Sequence, residues 1–229
     1  MINFSSICCH ASKLAQCKNE NMTLFVKPQG ILPLAVFAKE SLIVGFTGIT
    51  NDSIDLSVDI LRNVTLPFLR NFGVEGATLT IKKRGAAPLG GGSVEFTCPI
   101  VRQLVPINVT DMGLIKRVRG VVFCTRISPT IITRVIDSAR GVLNNLLPDV
   151  YIHADHYKGA EGGKSPGYSL SLVAESTTGV LLSTERTAGE GQEETGGVTQ
   201  GGRPELPESV GEEGAYRLLD EIRKGSKIE

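Results

Sequence analysis

The 229-residue chain has no tryptophan, four tyrosines and eight phenylalanines, an aromatic share of 5%. That scarcity argues against a platform on which nucleic-acid bases stack one after another. No apolar run reaches the roughly 20 residues that a membrane-spanning helix needs. The amino terminus lacks a basic region followed by an uninterrupted apolar core, so no signal peptide is expected and Asn-x-Thr triplets such as Asn63–Thr65 read as chance. Five cysteines are too few and too irregular for a disulfide framework, and reduced thiols in an intracellular protein are expected. Cys8, Cys9, His10 and Cys17 suggest zinc, but no second Cys-x-x-Cys pair completes the set, and no metal site is expected.

A formal net charge of zero removes any argument from a globally basic surface. The charge is nevertheless segregated. Between Leu79 and Arg140 there are ten basic residues against three acidic, and between Thr187 and Gly214 seven glutamates accompany only Arg203. Length, 41% hydrophobic residues and 21% charged residues suit a globular chain of one or two domains with an adequate core.

The clearest helix signal lies at 129–146. Ser128 is placed to cap it and Pro129 occupies the first position, where a missing N–H is harmless. Ile132, Val135, Ile136, Ala139, Val142, Leu143 and Leu146 recur at three- and four-residue spacing, and Pro148 stops the pattern. Strands are expected at 118–127, 150–153, 168–175 and 180–184, which gives a β-α-β-β-β unit. Upstream, residues 1–30 show no useful periodicity and are expected to be a poorly ordered leader, and 31–38 is too short to assign by pattern. A strand at 42–47 precedes a helix at 54–72, with Leu61, Val64, Phe68, Leu69 and Phe72 on its apolar face. Pro67 should kink that helix or begin its last turn, and Gly73 suits the position after its end. Strands at 78–84 and 93–98 flank a glycine-rich loop, and 104–109 reads as extended. Residues 189–203 read as a mobile loop. A helix at 208–224 carries Val210, Ala215, Leu218, Leu219 and Ile222 on one side, with nothing nearby in sequence to pack against.

Few residues carry visible chemistry. Gly159 to Ser165 invites a phosphate-loop reading, but Lys158 stands where that motif requires glycine, and Pro166 and a strand follow where a helix is needed. His153 and His156 fall on opposite faces of a strand, which argues against shared metal coordination. Asp149 and Asp155 lack an acidic partner at interpretable spacing, and no serine sits in a nucleophile elbow. The Gly90–Gly92 triplet is either a wide hairpin loop or a backbone approach to phosphate. Lys82 and Arg84 share a strand face, and with Lys116, Arg117 and Arg119 they form either a phosphate-contacting patch or a charged, solvated strand edge.

Several stretches together resemble the RNA 3′-terminal phosphate cyclase superfamily, and within it the cyclase-like ribosome-biogenesis branch. They are Gly48-Ile-Thr-Asn-Asp52, Arg84-Gly-Ala-Ala-Pro-Leu-Gly-Gly-Gly92, Lys116-Arg-Val-Arg-Gly120, Ser138-Ala-Arg140, Asp155-His156 with Lys158-Gly159, Gly163-Lys-Ser-Pro-Gly-Tyr168 and Ser171-Leu-Val-Ala-Glu175. Ser93 departs from the acidic residue common after the glycine triplet.

The resemblance implies an α+β fold of repeated four-stranded-sheet/two-helix units, here incomplete, with an inserted smaller α/β domain. On that template 1–30 is a leader, 31–103 the second repeat unit, 104–203 the insert and 204–229 the truncated return helix of the large domain. The resemblance also places the adenylylated histidine of true cyclases beyond Glu229, so no catalytic residue and no cofactor are expected, and the chain is expected not to be an enzyme. It implies a nucleolar factor of the small-subunit processome that supports pre-rRNA processing toward 18S rRNA. Expected partners are a GTPase of that assembly and the pre-rRNA/small nucleolar RNP complex, with no membrane. Lys82, Arg84, Lys116, Arg117, Arg119 and Lys164 are the expected RNA contacts. The alternatives are an RNA 3′-terminal phosphate cyclase and an inactive truncated product.

Overall fold

A computed structural model describes residues 15–23 (backbone only), 31–32, 34–53, 55–188 and 205–225. Cys8, Cys9, His10 and the expected loop at 189–203 lie outside the described residues. The fold is α+β, built on two four-stranded sheets.

The first sheet has the order β1-β2-β4-β3, from Ala15–Thr23, Leu42–Ile49, Gly92–Cys98 and Thr78–Lys83 respectively. β1 falls where no element was expected and runs parallel to β2. The remaining pairs are antiparallel. Alternation along β4 buries Val94, Phe96 and Cys98 on one face, as period-two geometry requires. Residues 34–36 form a helical turn that contributes Ala35 and Val36 to the same core.

Helix α1, residues 58–71, begins four residues later than expected and runs as a short α-turn, a π-helical segment Leu61–Thr65 and an α-helical end Leu66–Asn71. Two side-chain bonds delay its start. Asp52 Oδ1 accepts from the N–H of Asp55 at 2.8 Å, and Ser57 Oγ accepts from Ile60 N at 3.3 Å as the N-cap, local bonds that compete with helical pairing. The wide π turn, with Leu66 N–H on Leu61 O, sits just ahead of Pro67, which stands in the first positions of the α-helical end Leu66–Asn71, so the proline begins the last stretch of the helix, the second of its two expected roles. After the helix, Gly73 adopts φ +84°, and the bonds Gly73 N to Arg70 O and Val74 N to Leu69 O close a Schellman motif. Phe68 stays 47% exposed and meets the Phe72 ring edge-on. Residues 101–114 carry no strand, contrary to the extended reading of 104–109.

The second sheet has the order β6-β5-β7-β8, from Val150–Tyr157, Ile115–Thr125, Gly167–Ser176 and Leu181–Thr187 respectively. Helix α2, Pro129–Leu143, connects β5 to its parallel neighbour β6. Ile132, Val135, Ile136, Ala139 and Leu143 are buried as the spacing predicts. Two details differ. Ser128 holds the N-cap position, but its Oγ pairs with Thr130 Oγ1 rather than a backbone N–H, and Leu146 lies past the helix end, 55% exposed.

Helix α3, Pro207–Gly225, finds its packing far off in sequence. It lies beside α2 on the second sheet, where Val210, Ala215 and Leu218 join that core. Arg134 grips Glu208 with two bonds of 2.6 and 2.8 Å, and Ser138 Oγ donates to Glu208 O at 2.7 Å. The buried Arg186 reaches Glu205 and Glu213. A Cβ at Gly211 would stand 2.5 Å from Val135 O, so the two helix backbones touch.

That contact gives a test. Alanine is the better helix former by about 1 kcal/mol, yet overpacking against backbone costs about 1–3 kcal/mol. Gly211→Ala should therefore lower the thermal midpoint, by up to roughly 8 °C. A raised midpoint would mean that α3 does not pack there.

Candidate functional site

The face of the second sheet opposite α2 carries Arg117, Arg119, Val121 and Phe123 from β5, because Val118, Val122 and Cys124 point into the core under α2. The Phe123 end of this face is closed by the first unit. The guanidinium of Arg84 lies 5.2 Å above the Phe123 ring. It bonds both oxygens of Asp59 at 2.7 Å, and donates from Nη2 and Nε to Asp155 Oδ2 at 2.8 and 3.2 Å. Asn51 Oδ1 accepts from Nη1 at 3.3 Å, while Asn51 Nδ2 donates to Asp59 Oδ2 and Ser169 Oγ. Arg84 and Asp59 belong to the first unit; Asp155, Phe123 and Ser169 belong to the second. One arginine, 1% exposed, thus joins the two. Burial alone would lower its pKa, and the two carboxylates more than reverse that, so the charge stays.

The glycine-rich loop continues the junction. Gly85 exchanges bonds with Thr50, accepting from its N and Oγ1 and donating to its Oγ1. Across the units, Arg84 N–H donates to Glu161 O, Lys164 N–H to Gly90 O, and Leu89 N–H to Ser165 Oγ. At Gly163, φ is +61° and a Cβ would lie 2.6 Å from both Arg84 O and Gly90 O. The Gly90–Gly92 triplet therefore belongs to the wide hairpin between β3 and β4, as one of its two readings has it, and the surface it offers is taken by Gly163–Ser165 rather than left open to a phosphate. Gly159–Glu161 forms a single 3₁₀ turn and β7 follows, so the helix a phosphate loop requires is not there. Farther along, Ser57 N–H donates to both oxygens of Glu185 at 3.1 Å, and Thr187 Oγ1 donates to Asp52 O at 3.0 Å. Burial pushes the Glu185 carboxyl above its ordinary range, against the Ser57 bonds.

The residues expected to meet RNA do not form one patch. Arg84 is sealed in the junction, the opposite of an exposed contact. Lys82 pairs with Glu95, Arg117 with Glu175, and Arg119 makes a two-bond pair with Asp149. Arg119 holds the exposed Asp149 carboxyl below its usual range. Lys116 and Lys164 are exposed and have no carboxylate partner among the described residues. Lys116 lies in the first residues of β5, however, while Lys164 sits beyond the opposite end of the sheet. His153 is exposed and His156 half-buried, three residues apart on β6 and so on opposite faces. No group of three or more His, Cys, Asp or Glu among the described residues is arranged to hold a metal.

The segments that bear the sequence resemblance, from Asn51, Arg84, Asp155 and Gly163, thus converge on one junction. Residues 110–223 match the family model described as the RNA 3′-terminal phosphate cyclase insert domain. The chain is 48% identical over 204 residues to a probable RNA 3′-terminal phosphate cyclase-like protein of Dictyostelium discoideum, which covers 88% of this chain and 55% of that protein. It is 44% identical to the human RNA 3′-terminal phosphate cyclase-like protein, over 88% of this chain and 52% of that one. An rRNA processing protein of Schizosaccharomyces pombe, rcl1, is 40% identical over 90% of this chain and 53% of its own. The chain belongs to the RNA 3′-terminal phosphate cyclase-like proteins. It spans about half the length of the curated relatives it matches. The family's insert model runs through residue 223, so it takes in nearly all of α3, whose apolar side packs into the second core.

Asp59 and Glu185 escape the sequence reading. Asp59 had a signal: an acid between Val58 and Ile60–Leu61, all buried, needs a cation close by. Glu185 had none, since its partner is a backbone N–H supplied by a distant helix cap.

Two outcomes are expected. Arg84→Ala leaves Asp59 buried without its counter-ion and should cost about 3–5 kcal/mol in denaturant unfolding; Arg84→Lys, which keeps the charge but not the fork, should cost less. Glu185, with its folded pKa raised above the ordinary 4.5, binds its proton more tightly in the native state. Its contribution is therefore full at low pH and declines as pH rises from about 4.5 through the raised value. Glu185→Gln should flatten that part of the stability–pH curve and stabilise the protein more at pH 7 than at pH 5. An unchanged curve would contradict the burial of Glu185.

Proposed function

We propose that this chain is a non-enzymatic ribosome-biogenesis factor that supports pre-rRNA processing toward 18S rRNA in the nucleolar small-subunit processome, binding pre-rRNA and a GTPase partner. The observation that carries the reading is the 40% identity, over 90% of the chain, with a relative named as an rRNA processing protein. The relatives named cyclase-like rather than cyclase point the same way. The geometry supports a scaffold. Arg84, Asp59, Asp155 and the glycine loop, the groups most suggestive of chemistry, are bonded to one another across the junction. They hold two sheets in fixed relation, which suits a protein that presents surfaces.

The competing reading is an RNA 3′-terminal phosphate cyclase, favoured by the family of the insert domain. Incubation with labelled ATP and a 3′-phosphorylated RNA separates the two. The scaffold reading expects no label on the protein and no 2′,3′-cyclic end, together with recovery of pre-rRNA and a GTPase on the tagged chain from nucleolar extract. Label on the protein or a cyclised end would establish the cyclase, and recovery of chaperones alone would mark an inactive product.

A further inference from the structure

Of the six cations expected to contact phosphate, Lys82, Arg84, Arg117 and Arg119 are held by carboxylates, whereas, among the described residues, Lys116 and Lys164 are not; beside Lys164 stand two cations outside that set, Arg126 and Lys158. All three are exposed, and none has an acidic partner among the described residues. The fold gathers them. Arg126 Nε donates to Gly163 O at 2.8 Å, the residue next to Lys164. Lys158 O accepts from Glu161 N–H, the residue whose own carbonyl receives Arg84 N–H. Lys164 N–H is bonded to Gly90 O, and its Cγ lies over Gly91. Between His156 and Pro166 the only carboxylate is Glu161, and neighbouring Asp155 is engaged by Arg84.

We propose that Arg126, Lys158 and Lys164 form a cationic ledge on the rim of the unit junction that contacts the sugar–phosphate backbone of RNA. This rests on the reading that the chain handles pre-rRNA. The ledge is built rather than incidental. Thr125 Oγ1 donates to Ser165 O, Leu89 N–H donates to Ser165 Oγ, and Gly163 has no room for a Cβ. The loop backbone is therefore held from both units, and ordering it on binding costs little. Arg126 is the one described non-glycine residue at positive φ, +56°, a conformation that a side chain such as arginine adopts only where the surroundings enforce it. Here the bond to Gly163 enforces it and leaves both Nη groups for a ligand. With three cations and no exposed aromatic stack beside them among the described residues, recognition is of phosphate and not of bases, so it should be salt-dependent and indifferent to sequence.

The test is fluorescence-anisotropy titration of the full chain with a single-stranded RNA 20-mer across 50–200 mM salt. Three phosphate contacts on a single strand account for a salt slope of about 2 and, at 0.1 M salt, roughly a 100-fold share of the affinity. Arg126→Ala/Lys158→Ala/Lys164→Ala should lose both, while Lys116→Ala, at the far end of β5, should bind as wild type. Lys158→Ala/Lys164→Ala touches no bond that holds the loop, and should still lower the slope by about 1.4, so misfolding of the triple variant cannot mask the result. If the wild type binds RNA and the variants bind equally well, the ledge is wrong while the rRNA reading stands. If the wild type binds no RNA, the reading of this chain as an RNA-contacting factor fails with it. Displacement of the RNA by polyglutamate at equal charge concentration, with the same dependence on Arg126, Lys158 and Lys164, would overturn the proposal in favour of an acidic protein partner.

Discussion

A guanidinium withdrawn from water between two carboxylates sets the arrangement of everything around it. Transfer of Arg84 and Asp59 to the interior is expensive, and their attraction repays it only when every donor and acceptor is matched. Here the match is close: both Asp59 oxygens, Asp155 Oδ2, Asn51 Oδ1 and the Phe123 ring surround one fork. A group of this kind adds little net stability over a packed apolar core. What it supplies is orientation, since displacing either sheet by an ångström or two strands a buried charge. The surplus negative charge falls on Asp155, whose side chain is 25% exposed and meets solvent.

The glycine loops are consequences of the same constraint. Arg84 can enter the junction only if the chain on either side of it turns sharply and lies against the second unit. Gly85, Gly90 and Gly163 each stand where a Cβ would meet backbone at 3.0 Å or less. The stretch most suggestive of phosphate binding in sequence is therefore filled by protein backbone, and the positive charge available to a polyanion lies beside it, on Arg126, Lys158 and Lys164. A junction that holds two sheets rigidly and a ledge that needs a preformed loop are one structural device.

Elements were legible where a single period dominates. The apolar stripe from Ile132 to Leu143 gives α2, alternation gives β3 and β4, and Gly73 marks the end of α1, since each depends on residues close in sequence. The start of α1 was misjudged because Asp52 and Ser57 compete locally for backbone N–H groups, and β1 was missed because its pairing with β2 is not encoded in its own pattern. The resemblance identified the residues that matter at the junction but not their role. Charge in sequence does not reveal pairing: Lys82, Arg84, Arg117 and Arg119 read as a basic face, whereas each is matched by a carboxylate from another strand, helix or loop. Helix α3 has an apolar side that sequence shows plainly, yet its partner, α2, lies more than sixty residues away.

Native-state hydrogen exchange tests most directly whether Arg84 makes one body of the two units. The slowest amides of Gly92–Cys98, in the first sheet, and of Ile115–Thr125, in the second, should open with a single shared free energy in the wild-type protein. In Arg84→Ala the two sets should separate, with the less stable sheet opening on its own. Different opening energies in the wild type, or a shared energy that survives the loss of Arg84, would show that the sheets are not held together by this charge.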